Sequence, residues 1–122
     1  MTVVLDSSAV LAFFFGEPAG DVVASALAAA VVPASGWAEV LQKAHERGSD
    51  LDEIEMTFEQ LGVNIAPLTA PDARVAASLW VRGRGLSLAD RFCIALGRFL
   101  DVPIWTCDRA WVDVDRRVVV IR

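Results

Sequence analysis

Short runs of apolar, mainly β-branched residues alternate along the chain with longer stretches in which apolar side chains recur every three or four positions. Val3-Val4-Leu5, Val31-Val32, Val63-Asn64-Ile65, Ile104-Trp105-Thr106 and Val118 to Ile121 read as strands. As a set they lack the polar–apolar alternation of half-solvated strands, which suits strands covered on both faces.

The intervening stretches carry helix signals. Glu17-Pro18 opens one helix, with proline in the first turn, and the alanines extend it to about Ala30. Ser35 is the expected cap of the next, with Trp37, Val40, Leu41 and Ala44 as its buried stripe and Gly48 as its end. Ser49 is the expected cap of a third, with Leu51, Ile54, Phe58 and Leu61 inward and Gly62 as its stop. Thr69-Ala70-Pro71 starts a fourth, which runs to the turn Arg82-Gly83-Arg84-Gly85. Ser87-Leu88-Ala89-Asp90 starts a fifth, with Leu88, Phe92, Leu96 and Phe99 on one face.

Strands alternating with helices over one core imply an α/β fold with a mostly parallel sheet. No repeat, linker or low-complexity segment divides the chain, so residues 1–122 are expected to form one domain. In such sheets ligands bind beyond the carboxyl ends of the strands, where strand order reverses. Polar residues just past a strand are therefore the first candidates for chemistry.

Composition narrows the class. The 122 residues are 55% apolar and 22% charged, too apolar for a disordered tail. The net charge of −5 argues against a generic basic nucleic-acid binder. Cys93 and Cys107 form no C-x-x-C pair and are too few for a disulfide scaffold, so a reducing cytosol is the expected compartment. The single histidine, His45, leaves a zinc site unsupported. Met1 to Asp6 has no cationic start, and the uncharged stretch Val22 to Ala38 is broken by Pro33 and Gly36. Neither a signal peptide nor a membrane span is expected.

Two aspartates sit at the expected binding edge: Asp6 follows Val3-Val4-Leu5, and Asp108 follows Ile104-Trp105-Thr106-Cys107. Each also has a plain structural role open to it, a helix N-cap for Asp6 and a turn for Asp108. Asp90 lies three residues after Ser87, the acidic position of a capping box. On a helix its neighbours are Cys93, Ile94 and Gly97, and a carboxylate over such a surface needs a partner. Glu39 is not selected by periodicity. It falls beside Gln42, Lys43 and Glu46, where a solvated face with a Glu39–Lys43 pair is the simple reading.

Other chemistries lack their residues. Lys43 is the only lysine and does not stand in a phosphate-binding loop; Gly83-Arg84-Gly85 lacks the third glycine of a dinucleotide fingerprint. His45 sits on a polar helix with no nucleophile elbow to serve.

Taken together these segments resemble the PIN-domain family, and within it the VapC-type ribonuclease toxins of toxin–antitoxin pairs. The resemblance covers essentially the whole chain. Val3-Val4-Leu5-Asp6-Ser7-Ser8-Ala9 is similar to the family's first strand and acidic residue, with Glu17-Pro18 following. Trp37-Ala38-Glu39-Val40-Leu41 is similar to its helix-borne glutamate segment, Leu86-Ser87-Leu88-Ala89-Asp90 to its third acidic motif, and Trp105-Thr106-Cys107-Asp108 to its strand-end T-x-D. Each motif alone is unspecific; four in order are much less so. Trp37 departs from the small or polar residue common at that position.

The resemblance implies a three-layer α/β/α fold with a central, mostly parallel five-stranded sheet. It further implies that Asp6, Glu39, Asp90 and Asp108 gather around one or two Mg²⁺ or Mn²⁺ ions. Crowded carboxylates repel unless a cation neutralises them, and oxygen-only ligands select a hard metal. The implied reaction is hydrolysis of RNA phosphodiesters by metal-activated water. Ser7 and Thr106 are then candidate hydrogen-bond donors to the ligands. The implied partners are an RNA substrate, an antitoxin protein and a second copy of the chain in a homodimer. Phe13-Phe14-Phe15 cannot all face one core, which leaves apolar surface for a partner. The rival readings are a PIN nuclease of RNA or DNA processing without an antitoxin, and a non-catalytic α/β module whose acidic patch binds a basic partner.

The acidic balance changes meaning under this resemblance. Without the four candidate ligands the charge is −1, and five of the remaining acids fall in one segment, Asp50 to Glu59, that holds no Lys or Arg. Arg82, Arg84, Arg91, Arg98, Arg109, Arg116 and Arg117 are left as candidate phosphate contacts.

Overall fold

Val3–Leu5 forms strand β1, and all three side chains are fully buried because the strand lies in the middle of the sheet. In this computed structural model, which describes residues Met1–Arg122, β1 is joined by β2 (Ala30–Pro33), β3 (Asn64–Ala66), β4 (Ile104–Thr106) and β5 (Val118–Val120) in the order β3-β2-β1-β4-β5. Every neighbouring pair is parallel, so the sheet is wholly rather than mostly parallel. The chain builds outward from β1 to β3, then returns to the other flank of β1 for β4 and β5. The reversal of strand order falls between β1 and β4.

The helices are α1 (Ser7–Phe14), α2 (Gly20–Ala24), α3 (Ala34–Glu46), α4 (Leu51–Gln60), α5 (Ala70–Ser78) and α6 (Leu88–Leu100). Period-two alternation along β1 divides the core in two. Val3 and Leu5 enter one side with Ala9, Val10, Val23 and Val40; Val4 enters the other with Cys93, Ile94, Ile104 and Trp111. Two cores on opposite faces of one sheet make the three layers α/β/α.

Burial on both faces holds for β1 but not at the edges. Asn64 and Ile65 of β3 and Val119 of β5 are exposed. The helix expected from Glu17 to Ala30 is shorter, because Ser25 Oγ bonds back to Val22 O at 2.6 Å and Leu27 turns into the core. Ser35 is not a cap: α3 starts directly after Pro33, and the Ser35 hydroxyl is buried without a partner. Asp50, not Ser49, caps α4: its Oδ1 accepts Asp52 N–H at 2.9 Å, while Ser49 belongs to the Schellman closure of α3 around Gly48 through its N–H to Ala44 O. On α6 the expected face is rotated. Leu88 and Phe99 are 56% and 54% exposed, while Cys93, Ile94 and Gly97 meet the sheet.

Thr69 with Asp72, and Ser87 with Asp90, close reciprocal capping boxes at the starts of α5 and α6. No helix is long and apolar enough to cross a membrane.

Candidate active site

Asp6 ends β1 and caps α1, so its carboxylate stands at the carboxyl edge of the central strand. It is 4% exposed. Its Oδ1 accepts Ser8 Oγ–H at 2.7 Å and Ala9 N–H at 2.9 Å, and its Oδ2 accepts Thr106 Oγ1–H at 2.7 Å from the end of neighbouring β4. Capping and the candidate role are thus compatible: the cap uses one bond to Ala9. Burial pushes the Asp6 carboxyl up to about 6, against the pull of these three donors, and repulsion from Asp90 adds to the rise.

Asp90 behaves similarly. Its Oδ2 accepts Ser87 N–H at 3.0 Å within the capping box, and partial burial and then the charge of Asp108 raise its pKa. Asp108 follows β4, accepts Ala110 N–H and donates its own N–H to Thr106 Oγ1 at 3.0 Å. Both aspartates therefore fill the plain roles open to them, and Asp90 also feels the charge of Asp108.

Glu39 departs from the periodicity reading. It is half-buried, because α3 packs between α1 and α6 and is covered on two sides. Burial and the charge of Asp90 raise its pKa, and Ser7 Oγ donates to its Oε1 at 3.3 Å. The solvated Glu39–Lys43 pair does not form; Lys43 acts on Glu39 only through its charge. Beneath the acids lies Cys93, fully buried, whose thiol is pushed up by desolvation and by Asp6, Asp90 and Glu39 in turn.

Asp90 is the common neighbour of the candidate acids: its charge acts on Asp6 and on Glu39, and that of Asp108 acts on it. Ser7 and Thr106 each donate to one of them. Ser8, which also donates to Asp6, is not among the residues singled out from sequence. Its signal is a hydroxyl two positions after a capping aspartate, and the partner that distinguishes it, Cys107, is 99 positions away.

The donor set is carboxylate and hydroxyl oxygen throughout, which fits a hard divalent cation. No three ionisable side chains converge into a ready-made cage; the acids stand apart, as repelling charges do. The edge is open rather than enclosed. The nearest cavity, about 260 Å³, begins at Cys107 and is lined by Glu17, Pro18, Ala19, Ile121 and Arg122.

The arginines divide by position. Arg98 lies near the end of α6, and Arg116 and Arg117 just before β5, at the amino edge of the sheet. Arg98 and Arg117 both pair with Asp115, at 2.7 and 3.1 Å, and Arg117 also pairs with Asp101 at 2.8 Å. These three do not face the site. Arg91 bonds Ala76 O and Ser87 O. Arg82 lies over the Trp80 ring, Arg84 lines a cavity with Asp113 and Val114, and the exposed Arg109 directly follows Asp108 at the carboxyl edge.

A family model described as the PIN domain matches residues 3–117. Among solved structures 12 chains match. One, described as a toxin-antitoxin complex from Klebsiella pneumoniae, superposes with a TM-score of 0.79 at 17% identity, covering 96% of this chain and 95% of that one. At that identity the likeness is one of fold. No curated protein matches the chain.

Proposed function

The chain belongs to the PIN domain family, whose model spans residues 3–117, and from that premise we propose that it is a divalent-metal-dependent endoribonuclease, the VapC-type toxin of a toxin–antitoxin pair. The observation that carries the reading is the coupling of four acids from four separate elements. Asp6 follows β1, Glu39 stands on α3, Asp90 opens α6 and Asp108 follows β4; burial raises the first three, the charge of Asp90 adds to the rise of Asp6 and Glu39, and that of Asp108 adds to the rise of Asp90.

Asp6, Glu39, Asp90 and Asp108 are the residues that would hold Mg²⁺ or Mn²⁺. When bound, such an ion lowers the pKa of a coordinated water and stabilises a leaving 3′-oxygen. The protein's own contribution is orientation. Thr106 and Ser8 hold Asp6, Ser7 holds Glu39, and the capping box holds Asp90. Arg109, which directly follows Asp108, is the arginine we assign to phosphate contact.

The antitoxin partner is supported by the shared fold with a chain of a toxin-antitoxin complex. Exposed Trp80, Val81, Leu88, Phe99 and Leu100 offer apolar area for the antitoxin and for a homodimer contact. Two free cysteines are consistent with action in a reducing cytosol, where RNA is met.

The test is cleavage of RNA with Mn²⁺ or Mg²⁺, wild type against Asp6→Asn, with Mn²⁺ binding measured in parallel. Metal-dependent cleavage lost in Asp6→Asn supports the reading. Absence of both cleavage and Mn²⁺ binding in the wild type overturns it in favour of a non-catalytic module.

A further inference from the structure

Ser8 and Thr106, 98 positions apart, are wired alike. Each hydroxyl accepts a backbone N–H from the segment that leaves β4: Cys107 N–H reaches Ser8 Oγ at 2.9 Å, and Asp108 N–H reaches Thr106 Oγ1 at 3.0 Å. Each then donates to one oxygen of Asp6, Ser8 to Oδ1 and Thr106 to Oδ2, both at 2.7 Å. A hydroxyl has a single proton. With both protons on Asp6, the 3.4 Å approach of the two hydroxyl oxygens is a packing contact and not a further bond.

The two relays are not redundant. Thr106 reaches Asp108 within its own strand end. Ser8 lies on α1, so its bond to Cys107 fastens the β4 end to the helix that Asp6 caps. Asp6 Oδ1 has two protein donors, Ser8 and Ala9, whereas Oδ2 has one. By that count Oδ2 is the oxygen left with capacity for another partner, and Ser8 helps hold the carboxylate in that orientation.

We infer that Ser8 is a positioning residue of the metal site, setting the placement of Asp6 relative to Asp108 across the seam between β1 and β4. The inference rests on the nuclease reading above and adds to it a residue that does not itself touch the ion. Outer-shell partners of this kind typically change metal affinity or activity 10- to 100-fold when removed. Ser8→Ala deletes the bond to Asp6 and leaves the Cys107 N–H without its acceptor, while the cap from Asp6 to Ala9 stays in place.

The experiment is a Mn²⁺ titration of wild type, Ser8→Ala and Ser8→Thr, followed by calorimetry or by the Mn²⁺ resonance signal, with far-ultraviolet circular dichroism at the same temperature. Ser8→Ala is expected to bind Mn²⁺ about 10-fold more weakly or worse with its helical signal intact, and Ser8→Thr, which keeps the hydroxyl, to restore most of the loss. Equal affinity in Ser8→Ala and wild type overturns the assignment. So does a loss that appears only where the dichroism shows unfolding, or one that Ser8→Thr fails to restore. A wild type that binds no Mn²⁺ is a different failure: the nuclease reading falls, and the Ser8 assignment falls with it.

Discussion

Ser7 Oγ donates to Glu39 Oε1 at 3.3 Å, joining the first residue of α1 to the interior of α3 across 32 positions of sequence. Glu39→Gln keeps the volume and an acceptor for Ser7 but removes the charge. Metal-dependent cleavage is expected to fall by about 10-fold or more. The metal-free protein is expected to melt no lower than wild type, because a carboxylate whose pKa is raised by burial and by Asp90 destabilises the fold when ionised. Full activity in this variant would remove Glu39 from the site.

Asp6 rises from 3.8 to about 6 on folding, and Glu39 and Asp90 are raised as well. Between about pH 4 and 6 the folded state therefore binds more protons than the unfolded chain, so metal-free stability falls as pH climbs through this window. Asp115, whose pKa is lowered, acts in the opposite sense, but below its ordinary value of 3.8. Thermal melts without metal are expected to give a higher Tm at pH 5 than at pH 7. Asp6→Asn should flatten that slope, and saturating Mn²⁺ should remove the loss at pH 7.

Two glycines set helix approach. A Cβ on Gly20 would stand 2.6 Å from Ala12 O, and one on Gly97 would land on the Ile104 side chain at the α6–β4 contact. Neither obstacle is a surface side chain: one is backbone, the other fully buried. Gly20→Ala and Gly97→Ala are each expected to lose about 1–3 kcal/mol, read as a lower urea midpoint.

Asp115 accepts from both Arg98 and Arg117 at the edge of the sheet away from the acids. Asp115→Ala is expected to lower stability by about 1–2 kcal/mol and to leave cleavage at saturating metal unchanged. Arg109→Ala should do the reverse, weakening RNA binding most at low salt with little change in the melt. A cleavage defect in Asp115→Ala at temperatures where it is folded would contradict this division of the arginines.

Much of this was legible in sequence because it is local. β1 and β4 announce themselves as short apolar runs, Gly48 and Gly62 end their helices with positive φ, and Thr69 and Ser87 cap theirs with an aspartate three positions on. Asp6 and Asp108 follow from strand ends alone. α1 was hidden as a periodic signal because it is apolar nearly all round, with Phe13 and Phe14 half-buried against one another at 5.3 Å. Glu39 and Ser8 were illegible for a common reason: what covers or contacts them comes from other elements of the fold. α3 exposes its polar face to solvent in a helical projection, and only the flanking α1 and α6 close over Glu39. Ser8 matters through a peptide 99 positions away.

The seam between β1 and β4 also orders events in time. β1 is made well before β4, yet the bond from Thr106 to Asp6 spans 100 positions. β2 and β3 can pair on one flank of β1 while the other flank waits. Until β4 arrives, Asp108 is absent and Asp6 lacks the hydroxyl that aims its second oxygen. A chain that stops short of β4 therefore holds Asp6, Glu39 and Asp90 without the strand that completes their edge.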